Sequence, residues 1–105
     1  MYVKLSAGRA VTLEDPSNFR AFKLVVEGDA AGLDEARRAL QGIAVLDDAA
    51  VAWISQEALR GRPEVQGDAA WRQGFNAMIE KARPHGWIDD AGGTIKAHIE
   101  WVPPA

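Results

Sequence analysis

The side chains best suited to chemistry in this 105-residue chain lie near its end: His85, Asp89, Asp90, His98 and Glu100. His98 and Glu100 stand two apart in an alternating stretch, so a strand projects them from one face. Joined by His85, Asp89 or Asp90, they would offer the nitrogen and oxygen donors that a divalent metal takes. Such a site needs convergence, which spacing alone does not supply. Thr94 and Lys96 share the face of His98 and Glu100, so a solvated polar row is the better account of all four. His85, His98 and Glu100 stay as the candidate metal-binding positions.

Other chemistry has less support. The pairs Asp47-Asp48 and Asp89-Asp90 could suggest acid and base work, which requires two carboxyls in contrasting environments. Both pairs fall where turns are expected, and Asp favours turns by bonding nearby backbone amides. Ser6, Ser17 and Ser55 lack the setting of an activated nucleophile. Gly8, Gly28 and Gly32 do not have the spacing of a dinucleotide or phosphate loop, and the Gly28–Gly32 segment, between an expected strand and helix, carries no Lys-Ser/Thr. With zero cysteines there is no disulfide, thiol nucleophile or thiolate metal site. No catalytic residue and no cofactor is assigned.

The four tryptophans, Trp53, Trp71, Trp87 and Trp101, are a different kind of candidate, because indoles are enriched both in cores and at binding hot spots. Trp71 and Trp101 lie on apolar faces and are expected in the core. Trp87 follows the helix-ending Gly86. It is the candidate partner-binding residue, although burial in the core is the commoner fate.

Hydropathy patterning indicates the elements that must place these groups. Val3 and Leu5 against Val11 and Leu13, with a turn near Ala7-Gly8-Arg9, suggest an N-terminal hairpin. Arg20 to Glu27 alternates as a half-buried strand. Leu33, Ala36, Leu40 and Ile43 follow helical spacing, with Gly42 as a C-terminal cap. Ala50 to Ile54 is apolar on both faces and fits a covered strand or a buried helix segment. Ser55 can cap a short helix over Gln56 to Arg60. After Asp68, a good cap by type, the stripe Trp71, Phe75, Met78, Ile79, Ala82 marks the strongest helix, which Pro84 and Gly86 stop. Gly74 inside it costs about 1 kcal/mol relative to Ala, so either the rest of the stripe outweighs that cost or something packs closely against the backbone there. Two strands, Gly86 to Asp89 and Gly93 to Trp101, close the chain, the second with Ile95, Ala97, Ile99 and Trp101 on one face.

Composition sets the exclusions. A hydrophobic share of 48% and a charged share of 26% are those of a soluble globular protein, and the length fits one domain over residues 1–105. Nothing approaches an apolar run long enough to span a membrane, and the N-terminus lacks a secretory pattern, so a cytoplasmic location is the default expectation. The net charge of −3 and scattered basic residues disfavour nucleic acid as a partner. A helix followed by a hairpin also describes the end of a winged-helix DNA-binding domain, but the presumed wing carries Asp89 and Asp90 where phosphate contact calls for basic residues.

The expected fold is α+β: a mainly antiparallel sheet covered on one face by two main amphipathic helices, with a C-terminal β-hairpin. The expected function is a small non-enzymatic interaction domain that binds a protein partner or itself as a homodimer. The alternatives are a ligand-binding, metal-binding or enzymatic domain with a pocket between helix and sheet, and DNA binding.

Overall fold

A computed structural model describes residues 1–104. The hairpin of β1 (Tyr2–Leu5) and β2 (Val11–Glu14) forms with Val3 opposite Leu13 and Leu5 opposite Val11, as the alternation indicates. The chain then crosses from β2 over β1 to β3 (Lys23–Glu27), which lies parallel to β1. A 3-10 turn at Ala30–Gly32 leads into α1 (Leu33–Ala39), followed by β4 (Ala44–Leu46) and β5 (Val51–Ser55) joined by the Asp47-Asp48 turn. Asp48 accepts from the amides of Ala50 and Val51 at 2.7 and 2.9 Å, which is the turn role expected of it. The stretch open to two readings, Ala50 to Ile54, is a strand, with Ala52 and Ile54 buried on one face and Val51 and Trp53 on the other.

Helix α2 (Gln56–Arg60) is capped by Ser55, whose hydroxyl accepts from the Ala58 amide at 3.1 Å. Helix α3 (Ala69–Ala82) is capped by Asp68, whose carboxylate accepts from the Trp71 amide at 2.9 Å. A 3-10 turn at Arg83–His85, β6 (Ile88–Asp89) and the long β7 (Thr94–Val102) complete the chain.

The sheet order is β2-β1-β3-β7-β5-β4, with β6 also on β7. It is a mixed sheet, which fits the expectation of a mainly antiparallel one in part: four strand pairings are antiparallel, while β1 with β3 and β3 with β7 run parallel. Alternation reports which face a side chain occupies and carries no information on the direction of the neighbouring strand. The C-terminal hairpin exists in reduced form, since β6 pairs only Ile88 with Ile95 and Asp89 with Thr94. β7 finds its main partners in β3 and β5 and sits inside the sheet, so no free wing projects as DNA binding of the winged-helix type would need.

One face of the sheet and the apolar stripes of the helices share one core. Leu24, Ile54, Ile95 and Ile99 meet Leu40, Leu59, Phe75 and Ile79 there. Trp71 stacks on Phe75 with ring centroids 4.8 Å apart. Phe75 is fully enclosed, and truncating such a ring costs about 3–5 kcal/mol. Beneath α3 runs the crossing segment between β2 and β3. Its Phe19 ring lies against Gly74, where a Cβ would come within 2.4 Å of it, and the Pro16 carbonyl accepts from the Trp71 indole at 3.0 Å. The glycine in the best helix thus marks the place where Phe19 passes. The Met1 ammonium donates to the Asn18 and Ala21 carbonyls at 2.7 and 3.1 Å, tying β1 to the same segment.

Each of the outer strands β2 and β4 has part of its free backbone edge engaged. On β2, the Leu13 amide donates to the Glu64 carboxylate and the Val11 carbonyl accepts from the Arg62 guanidinium, each at 2.7 Å. Arg62 and Glu64 are themselves paired at 3.1 Å. Burial raises the pKa of Glu64, but the hydrogen bonds from Arg62 and from the Leu13 amide outweigh it and hold the carboxyl below its usual range. On β4, the Leu46 carbonyl accepts from Arg37 at 3.0 Å and the Ala44 amide donates to the Leu40 carbonyl at 2.9 Å. No helix among the described residues is long and apolar enough to cross a membrane.

Candidate functional site

The site candidate arises where the sheet splits. One edge of β7 serves two strands in succession: the Lys96 amide donates to the Trp87 carbonyl at 2.8 Å, and two residues further on His98 stands level with Lys23 of β3. Between these partners the sheet opens at the Ala97 step, flanked by Phe22 on one side and Trp87 on the other. Above the opening lie the last turn of α3 and the 3-10 turn that follows. The result is a cleft of about 430 Å³ between helix and sheet, with Phe19, Phe22, Met78, Trp87 and Ile95 among its walls. That volume falls within the range of small-molecule sites.

Trp87 is placed there by local backbone geometry. Arg83, Pro84 and His85 tighten the helix end into a 3-10 turn, and Gly86 takes a left-handed φ of 77° that reverses the chain. The Trp87 amide then donates back to the Ala82 carbonyl at 3.4 Å. The indole is 46% exposed, so the core reading of this residue is corrected to a surface one. A core fate fails because Trp87 precedes a two-residue strand at the split and has no second layer above it. His85 stacks on its ring with centroids 4.4 Å apart at 17°. The indole N–H groups of Trp53, Trp71 and Trp101 donate to Asp47, Pro16 and Ala49 at 3.0, 3.0 and 2.7 Å. Trp87 alone has an indole N–H with no acceptor among the described residues.

The charged lining of the cleft has one sign, that of Arg20, Lys81 and Lys96. Arg20, Lys81, His85 and Lys96 surround it and no acidic residue lines it. Arg20, Lys81 and Lys96 enter no ion pair among the described residues. The nearest acidic groups along the chain are already engaged: Glu80 and Asp90 both bond to Arg83. Those bonds, from Glu80 first and then Asp90, hold the Arg83 guanidinium more firmly protonated than usual. The cleft is therefore electropositive in a chain whose net charge is −3.

The metal candidates separate. His85 faces the cleft against Trp87, while His98 lies in a neighbouring hollow of about 390 Å³ that shares Phe22, Trp87 and Lys96. Glu100 pairs with Lys23 at 2.5 Å. Among the described residues no three His, Asp or Glu side chains gather to hold a metal ion. Asp89 accepts from the Gly92 amide at 3.1 Å, a turn bond. A further hollow of about 290 Å³ lies by the Gly28–Gly32 connection, lined by Glu27, Asp29, Glu35 and Arg9. There Glu27 accepts from the Ala7 amide and Asp29 from the Ala31 amide, each at 3.0 Å, and Arg9 lies 3.8 Å from Glu35, so its carboxylates are engaged locally.

Sequence reasoning singled out Trp87 as a partner-binding candidate and His85 as a metal candidate, and did not single out Phe19, Phe22, Arg20, Lys81 and Lys96, which line the cleft with them. Gly74 was the available signal, because a glycine inside a strong helix marks a close neighbour. The identity of that neighbour, and the split that brings Phe22 opposite Trp87, depend on strand order. Comparison with protein-family models, with curated proteins and with solved structures yields no match.

Proposed function

We propose that this chain is a non-enzymatic binding domain and that its ligand occupies the cleft beside Trp87. The observation that carries the reading is an exposed indole, fixed by its stack on His85, at the mouth of a cleft between α3 and the split sheet. Exposing a tryptophan forgoes burial worth about 1.5–3 kcal/mol for a large apolar side chain. Contact with a ligand recovers that energy. Apolar walls with few, directed polar groups are the usual make-up of a site that binds without reacting. No serine, threonine, cysteine or carboxylate lines the cleft, and the charged groups there are cations.

The test is a thermal-shift screen of a metabolite library on the wild type and on Trp87→Ala. A ligand of the folded state raises the apparent melting temperature by mass action. Compounds that stabilise the wild type and leave Trp87→Ala unmoved support the reading. Compounds that stabilise both proteins equally place binding elsewhere and contradict it.

Self-association through the same surface is the second reading, and the observation in its favour is the exposed indole itself, since such residues anchor subunit contacts. Such a dimer would form through side chains around Trp87, and the bonds on the free edges of β2 and β4 disfavour pairing there.

A further inference from the structure

We infer that the ligand of the Trp87 cleft is a small organic carboxylate with a flat apolar body, an inference that rests on the binding reading above. The cleft separates into two chemistries. Its walls, from Phe19, Phe22, Met78 and Ile95, offer aromatic and aliphatic surface to a planar body. Beside His85, its rim offers the cations Arg20, Lys81 and Lys96, which enter no ion pair among the described residues, and the indole N–H of Trp87, which has no acceptor among them.

Charge complementarity selects the sign of the ligand. Glu80 and Asp90 could have neutralised this rim but are bound by Arg83, and Glu100 is bound by Lys23. The positive field is thus local and does not come from composition, which is net acidic. A cationic ligand would meet like charges, while a carboxylate would accept charge-assisted hydrogen bonds from the rim. Geometry selects the size. An extended peptide docks by adding to a free strand edge, and the β7 edge in the cleft is open only across the Ala97 step between its bonded partners. A cleft of about 430 Å³ suits a compact molecule instead.

The experiment is calorimetric titration of the full chain with 2-naphthoate and with its neutral isostere 2-naphthamide. Wild type, Lys81→Gln/Lys96→Gln and Trp87→Ala are compared at low and high salt, each first shown to unfold cooperatively near the wild-type temperature. These three side chains are exposed, so the variants are expected to fold. The carboxylate is expected to bind wild type about tenfold more tightly than the amide, the difference made by a hydrogen bond to a charged group. That preference is expected to shrink to about twofold in the double lysine variant and to weaken with salt. Both compounds are expected to lose affinity in Trp87→Ala. Equal affinity of the two compounds, with both lost in Trp87→Ala, would overturn the anion assignment and leave the binding reading intact. No binding of either compound to wild type, or binding unaffected by Trp87→Ala, would overturn both.

Discussion

Two residues decide how the cleft is built and used. Gly74 allows Phe19 to lie against α3, and a Cβ at position 74 would come within 2.4 Å of its ring. Ala is favoured over Gly in a helix by about 1 kcal/mol, while overpacking costs about 1–3 kcal/mol. Gly74→Ala is therefore expected to lower stability by about 1 kcal/mol net in chemical denaturation, and to disturb the Phe19 wall of the cleft. In a Phe19→Leu background, where the ring is gone, the same alanine is expected to be neutral or stabilising. A stabilising Gly74→Ala in the wild type would contradict the role given to the contact. Trp87 behaves in the opposite way. Half exposed and outside the core, it should cost about 1 kcal/mol or less on truncation to alanine. A loss comparable to that of Phe75 would mean that Trp87 serves the fold and not the site.

At the scale of elements, two devices hold the frame. Asp68 caps α3 through the Trp71 amide, so Asp68→Ala is expected to cost about 1 kcal/mol, read from the denaturation midpoint. The Arg62–Glu64 pair closes the β2 edge, and Glu64 titrates below its usual range in the folded state. An acid whose folded pKa is depressed contributes stability that is full above its ordinary value and is lost as pH falls through the depressed one. Thermal unfolding should therefore separate wild type from Glu64→Gln at neutral pH and bring them together in strong acid. A gap independent of pH would remove the charge from the account. These elements also show what the sequence could and could not reveal. The caps Ser55 and Asp68, the hairpin pairing Val3 with Leu13, and the stripe from Trp71 to Ala82 are local, and periodicity with cap chemistry expressed them. The parallel placement of β3 between β1 and β7, and the split opposite Phe22, join residues far apart in sequence. No local pattern encodes them, which is why Trp87 and His85 could be singled out while their neighbours in the cleft could not.

At the scale of the molecule, the outer edges of β2 and β4 are partly engaged and several hollows open on the surface. Among the described residues Val45 and Trp87 are the two large apolar side chains that remain well exposed; Val45 borders a hollow of about 190 Å³ and Trp87 the cleft of about 430 Å³. With both edges partly engaged, the protein is expected to be monomeric in size-exclusion chromatography with light scattering, and any dimer to disappear in Trp87→Ala. A dimer that survives this substitution would place the contact on another surface. The central claim, that the cleft at the sheet split is where the protein binds, is tested most directly by the four indole N–H resonances in a ¹⁵N-correlation spectrum. Three of these groups are bonded to Asp47, Pro16 and Ala49, and that of Trp87 is free to respond. As a ligand found by the thermal-shift screen is added, the Trp87 resonance should move first and furthest, together with the amides of Phe22 and Lys96. Movement centred on Trp53, or on the Gly28–Gly32 connection, with Trp87 unchanged, would contradict the claim.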